Sequence, residues 1–181
     1  MTQSARIGRR AISLAPIDDA IDHVRGGVSG RLILEYGDYE CPYSRHAERE
    51  IQRVERRLGD GVRFAFRHFP LTEIHLHALA AAAAAEAAAL QDRFWEMHEL
   101  LFHRQHALAD HDLRRYAVEL GLDLERFDAD RGGEAVLGRV RRNVRSGEGS
   151  GEVRGTPTLF IDGVMHRGGY DALTLLEALA R

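Results

Sequence analysis

The order of the apolar patterns along the chain limits the possible folds more than any other feature of the sequence. Arg31–Tyr36 is a compact apolar run of strand length, and apolar side chains then recur at helical spacing from Pro42 to Leu58, where Gly59 closes the helix. Gly61–Phe69 alternates apolar and polar residues, which predicts a second strand. A strand, a helix and a strand in this order predict an α/β fold.

A long and almost purely helical pattern follows the second strand. It predicts helices over residues 74–90, 92–102, 110–120 and from 134 onward. The Gly-rich tract over residues 146–152 is predicted to be a loop rather than an interdomain linker, because neither side of it has all the strands of a sheet. We therefore expect residues 72–150 to form an all-helical insertion.

The last part of the chain predicts the remaining elements of the sheet. The pattern predicts four elements in order: a strand over Leu159–Ile161, a hairpin turn at Asp162–Gly163, a short strand up to His166 and a helix over residues 171–180. Residues 31–71 and 151–181 are thus expected to form one domain around the insertion. Residues 1–30 are expected to be an arm, loose over residues 1–15, with a short helix over Asp18–Val24.

Composition and charge argue against several functions. The formal net charge of −3, without a basic stripe interleaved with aromatic residues, does not favour nucleic-acid binding. The longest low-polarity stretch, Ala78–Leu90, contains Glu86 and is too short to span a bilayer, so no membrane association is expected. Pro16 ends the N-terminal apolar run before it reaches the length of the apolar segment of an export signal, so no export signal is expected. One cysteine forms no internal disulfide and fits a reducing compartment, which predicts a cytoplasmic location.

The single cysteine, Cys41, is expected at the first turn of the first helix. Unpaired backbone N–H groups and the helix dipole at that position favour a thiolate over a thiol. Arg45 and His46 would add positive potential, whereas the acidic residues just before Cys41 would oppose it. By itself, a lone cysteine is also consistent with a small apolar residue of the core.

Four segments of the sequence resemble the DsbA-like thioredoxin-fold proteins. They are Glu35-Tyr-Gly-Asp-Tyr-Glu-Cys-Pro-Tyr-Ser44, Phe66-Arg-His-Phe-Pro-Leu71, Phe94-Trp-Glu-Met-His98 and Gly155-Thr-Pro-Thr-Leu-Phe160. The likeness spans roughly Leu32 to the C-terminus. It implies a thioredoxin fold, in which a central mixed β-sheet is flanked by helices and carries a helical insertion. It also implies a thiol–disulfide oxidoreductase that acts on protein or low-molecular-weight disulfides and thiols.

The motif around Cys41 matches the family at its nucleophile and departs from it at one position. The resemblance implies that Cys41 is the nucleophilic cysteine and that Pro42 and Tyr43 tune the thiolate and its access. The family's usual motif is Cys-x-x-Cys, whereas the fourth position here is Ser44. A serine hydroxyl cannot resolve a mixed disulfide at neutral pH, so we expect a monothiol enzyme resolved by an outside thiol such as glutathione. Ser44 would donate a hydrogen bond to the thiolate, although an engineered exchange of a second cysteine would leave the same sequence.

Three further residues take expected roles from the resemblance. Thr156 and Pro157 match a loop with a cis proline that faces the nucleophile, where an extended substrate would pair with the Thr156 backbone. Glu35 matches the family's buried carboxylate and would accept a proton from the thiol. The alternative interpretation of Glu35 is a surface charge on an edge strand.

Other functions stay open beside this hypothesis. A non-catalytic thioredoxin-fold binding module, a glutathione-dependent transferase or isomerase, and a peroxide-reactive thiol protein that forms a sulfenic acid are the alternatives. The sequence implies no bound metal, nucleotide or flavin, and it predicts no oligomeric state. Two groups of histidines, at positions 75 and 77 and at positions 98, 103 and 106, lack the spacing of a zinc site, so a structural or surface role is expected for them.

Overall fold

The computed structural model describes residues 14–181, so the predicted loose arm lies almost wholly outside the described residues. The strands are β1 (His23–Gly26), β2 (Arg31–Gly37), β3 (Val62–His68), β4 (Thr158–Ile161) and β5 (Val164–Met165). The helices are α1 (Pro42–Leu58), α2 (Ala78–Ala89), α3 (Phe94–His103), α4 (Asp110–Glu119), α5 (Leu124–Arg131), α6 (Glu134–Ser150) and α7 (Ala172–Leu179). None of the helices in this part of the chain is long and apolar enough to cross a membrane.

The strands form one mixed sheet with the order β1-β3-β2-β4-β5. β2 pairs in parallel with β3, and the other three pairs are antiparallel. β2 is therefore the central strand, with Glu35 opposite Phe66 on one side and Leu159 on the other. Helices α2–α6 lie between β3 and β4 in the chain. The expected α/β thioredoxin fold with a helical insertion is confirmed.

Side chains that alternate along the strands divide the core between the two faces of the sheet. Ile33, Phe64 and Phe66 belong to the larger cluster, which also contains buried residues of α1 and of the inserted helices. Leu34 and Ala65 belong to a smaller cluster on the other face. Because side chains along a strand alternate between faces, the side chain of Glu35 lies on the same face as Ile33, towards α1 and the inserted helices.

The first helix begins and ends as the sequence predicts. Pro42 occupies its first turn, where no backbone N–H donor is needed, and Gly59 follows its end with a φ of 52°. Arg56 and Arg57 in the last turn complement the negative end of the helix dipole. This helix therefore has a well-defined N-terminus directly after the turn that leaves β2, which is where Cys41 lies.

The short helix predicted over Asp18–Val24 is wrong. Residues 18–21 form a turn, in which the carboxylate of Asp18 accepts a hydrogen bond from the Ala20 N–H, and β1 follows. β1 pairs antiparallel with β3 and so covers an edge of that strand, a long-range contact that local propensity does not report. Gly26 ends β1 with a φ of +94°, and a Cβ there would lie 2.4 Å from the Val62 carbonyl oxygen.

The insertion differs from the prediction at three places. The loop predicted over residues 146–152 is wrong for its first part, because α6 continues to Ser150. Gly147 packs against the Phe69 ring so closely that a Cβ would lie 3.0 Å from it, so this glycine serves close packing rather than flexibility. The first inserted helix starts at Ala78 rather than at residue 74, and α5 was not predicted.

Candidate active site around Cys41

Cys41 is the N-cap residue of α1 and is 4% exposed. Its backbone N–H donates to the Asp38 carbonyl over 3.1 Å, and its own carbonyl accepts from the Arg45 N–H over 3.1 Å. The side-chain amide of Gln105, which follows α3, donates to the carbonyls of both Tyr39 and Cys41, over 2.7 and 2.8 Å. The helical insertion thus contacts and fixes the backbone that carries the thiol.

The loop before β4 faces the thiol. The Thr156–Pro157 peptide is cis, and the Cys41 thiol donates to the Thr156 carbonyl with an Sγ···O distance of 3.2 Å. The two segments that the sequence places 115 residues apart therefore meet at the N-terminus of α1. The hydroxyl oxygen of Thr156 is buried without a hydrogen-bond partner among residues 14–181.

Glu35 is completely buried, so its interpretation as a surface charge on an edge strand is wrong. Neither carboxylate oxygen has a hydrogen-bond partner among the described residues. Burial raises the pKa of Glu35 well above its ordinary value of 4.5, and the charges of Glu48 and Cys41 raise it further, against smaller effects of Ser44 and Arg25. Glu35 thus keeps its proton to a higher pH than an exposed glutamate does, and its carboxyl and the Cys41 thiol influence each other electrostatically.

Space for the Glu35 carboxyl depends on the residue two positions later in β2. A Cβ on Gly37 would lie 2.8 Å from Glu35 Oε1 and 2.4 Å from the Phe66 ring. Real Cβ atoms do not come this close to such atoms, so a side chain at position 37 would displace the carboxyl. Gly37 therefore belongs to the machinery that positions Glu35.

Ser44 occupies a fully buried place in the first turn of α1. Its hydroxyl oxygen accepts a hydrogen bond from the Asp38 N–H over 3.3 Å. The hydroxyl can still donate one hydrogen bond, and the Glu35 carboxyl is an ionisable group beside it. Pro42 and Tyr43, by contrast, are exposed, with 64% of Tyr43 open to solvent beside the thiol.

Asp38 holds the turn before Cys41, a role that the sequence did not reveal. Its carboxylate accepts from the Glu40 N–H, the Leu71 N–H and Nδ1 of His75, each over 2.8 Å. The carboxylate of Glu40 in turn accepts from the His77 N–H over 2.6 Å. These two acidic residues tie the active-site turn to the segment after β3. A short-range signal existed, since an Asp two residues before a backbone N–H commonly caps a turn.

A buried polar chain lies behind Cys41, on the side of α3. The Tyr39 hydroxyl lies 3.0 Å from Nδ1 of His98, and the other ring nitrogen lies 3.3 Å from the Glu48 carboxylate. Arg25 donates to the same carboxylate over 3.0 Å. Burial would raise the pKa of Glu48, but His98 and Arg25 hold it below its ordinary value. His98 therefore has a structural role, as one of the two expectations had it, and contributes a specific polar contact to the interface between α1 and α3.

A cleft of about 570 Å³ adjoins the Thr156–Pro157 loop. Arg154 and Arg167 supply positive charge to its lining, and Met165 of β5 supplies an apolar wall. Glu152 also lines the cleft and pairs with Arg167 over 3.3 Å. A molecule held in this cleft would reach the Thr156 backbone, and through it the neighbourhood of the Cys41 sulfur.

Comparison with known proteins decides the family. Residues 32–180 match the family described as the DSBA-like thioredoxin domain. The chain belongs to this family. The resemblance noted from the four sequence segments is confirmed, and so is the thioredoxin fold of an oxidoreductase family.

Solved structures of similar fold support the assignment. The DSBA-like domain superposes on a thioredoxin-like oxidoreductase from Silicibacter pomeroyi DSS-3 with a TM-score of 0.80 and 27% identity, covering 90% of this chain and 92% of that one. BdbD from Bacillus subtilis, in its oxidised form, gives a TM-score of 0.78 over 94% of this chain and 96% of that chain. Its identity of 21% makes the second likeness one of fold alone.

Curated relatives of higher identity are much longer than this chain. The Na(+)/H(+) antiporter NhaA 1 of Mycolicibacterium vanbaalenii is 44% identical over 169 residues, which is 92% of this chain and 27% of that protein. The Na(+)/H(+) antiporter NhaA of Herminiimonas arsenicoxydans is 45% identical over 165 residues, 91% of this chain and 26% of that protein. The DSBA-like domain thus spans about a quarter of the length of these relatives, and their names describe the longer proteins.

Proposed function

We propose that this DSBA-like domain is a monothiol thiol–disulfide oxidoreductase with Cys41 as its nucleophile. The observation that carries the proposal is the position of the thiol, at the N-terminus of α1 and 3.2 Å from the Thr156 carbonyl. The unpaired N–H groups of the first helical turn favour the thiolate that disulfide exchange requires. Protein disulfides or low-molecular-weight disulfides are the proposed substrates.

Since Ser44 stands where a second thiol would resolve the mixed disulfide, an external thiol such as glutathione completes the proposed cycle. The Cys41 thiolate attacks one sulfur of a disulfide R–S–S–R′, so that a Cys41–S–S–R bond forms, the original S–S bond breaks and R′S⁻ leaves. Glutathione thiolate then attacks the sulfur of R, forming G–S–S–R and returning Cys41 as a thiolate. Each step exchanges one S–S bond for another, so the cycle balances without an added oxidant.

Glu35 is the proposed proton acceptor for the Cys41 thiol. A proton transfer is fast when donor and acceptor have similar pKa values, and burial moves the pKa of Glu35 upward, towards the range of a thiol. Ser44 is proposed to donate a hydrogen bond from its hydroxyl to the thiolate once Glu35 has taken the thiol proton. Pro42 and the exposed Tyr43 limit the approach to the sulfur from solvent.

Thr156 and Pro157 are the proposed docking loop for substrate, and the adjoining cleft favours an anionic one. Glutathione and its mixed disulfides carry two carboxylates, and Arg154 and Arg167 lie in the cleft lining. Charge-assisted hydrogen bonds from guanidinium groups to carboxylates are among the stronger polar contacts in proteins. We further propose that the domain works in the cytoplasm, where a single thiol stays reduced and glutathione is abundant.

A coupled turnover assay tests the proposal. The full chain is mixed with a glutathionylated peptide, reduced glutathione, glutathione reductase and NADPH, and NADPH consumption is followed. We expect turnover by the wild-type chain and none above background by Cys41→Ser, with Val118→Ala, at an exposed position of α4 outside the site, as a control that retains activity. Equal rates for wild type and Cys41→Ser would overturn the proposal and favour a binding module.

A further inference from the structure

Three potential metal ligands converge at a place separate from the thiol. Glu86 of α2 points its Oε1 atom at Nε2 of His23, in β1, and at Nε2 of His68, at the end of β3, with 2.9 Å to each. The three ligand atoms all lie within 4.8 Å of one another. The side chains of His23, His68 and Glu86 are 11%, 1% and 3% exposed, so they form a built cluster rather than a chance meeting on the surface.

The hydrogen bonds of the cluster are in conflict at one atom. Nη1 of Arg139, from α6, lies 3.3 Å from Nε2 of His23, the same nitrogen that faces Glu86. Without a proton, Nε2 of His23 can accept a hydrogen bond from the guanidinium. With a proton, it can donate to the carboxylate. It cannot do both at once. Nδ1 of His68 is buried and has no partner among the described residues. The hydrogen bonds within the cluster thus do not satisfy all of its donors and acceptors.

We propose that His23, His68 and Glu86 bind a divalent transition-metal ion of the zinc type. Two imidazole nitrogens and one carboxylate are a donor set that zinc accepts, with a fourth position left for water. Bond lengths of about 2.0–2.2 Å in a tetrahedral site separate neighbouring ligand atoms by roughly 3.3 Å. The nitrogen–oxygen distances of 2.9 Å therefore need to open by only a few tenths of an ångström.

The charges of the site are those that a cation requires. Glu86 supplies a carboxylate, and a ring nitrogen of His23 and one of His68 face it at 2.9 Å each. Arg139 Nε lies 3.4 Å from the other oxygen of Glu86 and supplies the positive charge that a metal ion would replace.

An access route leads to the ligands from solvent. A cleft of about 310 Å³ is lined by His23, Glu86, Phe94, Trp95 and Arg139. The Arg139 side chain is 28% exposed, so it can swing outward when an ion enters. Because the ligands come from β1, β3 and α2, the bound ion would join the sheet to the helical insertion. This site does not depend on Cys41, and its failure would leave the proposed thiol chemistry untouched.

Metal titration of the full chain tests the inference in a Cys41→Ser background, which removes the one thiol that could bind zinc elsewhere. The metal-free chain is titrated with Zn²⁺ by calorimetry and with Co²⁺ by visible absorption, which reports ligand geometry. We expect one ion per chain, with binding at least tenfold weaker in His23→Gln and in Glu86→Gln. His103→Gln, which alters an exposed histidine, is the matched control and should bind as the background does.

The Arg139→Ala variant is expected to bind the metal more tightly, and a misfolded variant would not give that result. Removal of the competing guanidinium should tighten Zn²⁺ binding by at least tenfold, since the cation then meets no positive charge at Glu86. Absence of one-to-one binding, or binding that Arg139→Ala and Glu86→Gln both leave unchanged, would overturn the inference and identify the cluster as a buried ion pair only.

Discussion

The free energy of unfolding of the Glu35→Gln variant, compared with that of wild type at the same pH, should increase as the pH rises from acidic to neutral. Burial raises the pKa of Glu35 above its ordinary value of 4.5, so the folded protein keeps this proton to a higher pH than the unfolded chain does. The folded state therefore binds more protons between the two pKa values, and the stability of wild type falls as the pH rises through that window. The glutamine side chain does not titrate, so the variant lacks this loss.

The size of the effect follows from the burial of the carboxyl. The free energy of unfolding of Glu35→Gln minus that of wild type should rise by up to about 1.4 kcal/mol per pH unit inside the window and level off above the folded pKa. A buried polar group without a hydrogen bond costs roughly 1–3 kcal/mol, and more when charged. Both oxygens of Glu35 are in that state among the described residues, so the total rise should reach at least this range.

Urea unfolding from pH 4 to pH 9, followed by the fluorescence of Trp95, measures the difference at each pH. Glu177→Gln, which alters an exposed carboxylate on α7, is the matched control and should give curves parallel to wild type. A constant difference between Glu35→Gln and wild type over the whole range would refute the reasoning, because it would mean that folding does not raise the pKa of this carboxyl.

Three further changes test other parts of the site. Ser44→Cys should place a second thiol in the first turn of α1, so that the mixed disulfide resolves within the chain. After oxidation, intact mass should show an internal disulfide between Cys41 and the introduced thiol. Turnover should also depend less on glutathione. Asp38→Ala should destabilise the fold by about 2–4 kcal/mol in urea unfolding, because three donors lose their charged acceptor, whereas a loss below about 0.5 kcal/mol would contradict its bracing role. Joint removal of Arg154 and Arg167 should raise KM at least fivefold for glutathione disulfide but not for the uncharged hydroxyethyl disulfide, and equal effects on both substrates would argue against the anionic cleft.

The sequence predicted best those elements whose formation depends on their own residues. The apolar run of β2, the proline-initiated α1 and the alternation of β3 each appear where the local pattern places them. β1 could not be predicted, because its strand conformation depends on pairing with β3 rather than on its own four residues. The end of α6 was missed for a related reason, since position 147 is a glycine because the Phe69 and Tyr36 rings pack closely against it and not because the helix ends there.

The thiol site was predictable to the extent that it follows from the motifs. The cis peptide before Pro157 and its contact with Cys41 were expected, and the burial of Glu35 was one of two interpretations. The bracing by Asp38 and the gathering of His23, His68 and Glu86 depend on which elements pack together. Spacing along the chain carries no record of such contacts, and the two groups of histidines that lie close together in the sequence include neither His23 nor His68.

Forming and then resolving the mixed disulfide on Cys41 tests the monothiol mechanism most directly. Wild type is incubated with oxidised glutathione, freed of small molecules, and treated with reduced glutathione, with intact mass recorded at each stage. The mechanism predicts an added mass of one glutathionyl group on wild type, none on Cys41→Ser, and complete removal by reduced glutathione. Failure of the adduct to form, or an adduct that reduced glutathione leaves in place, would contradict a monothiol oxidoreductase that is resolved by an external thiol.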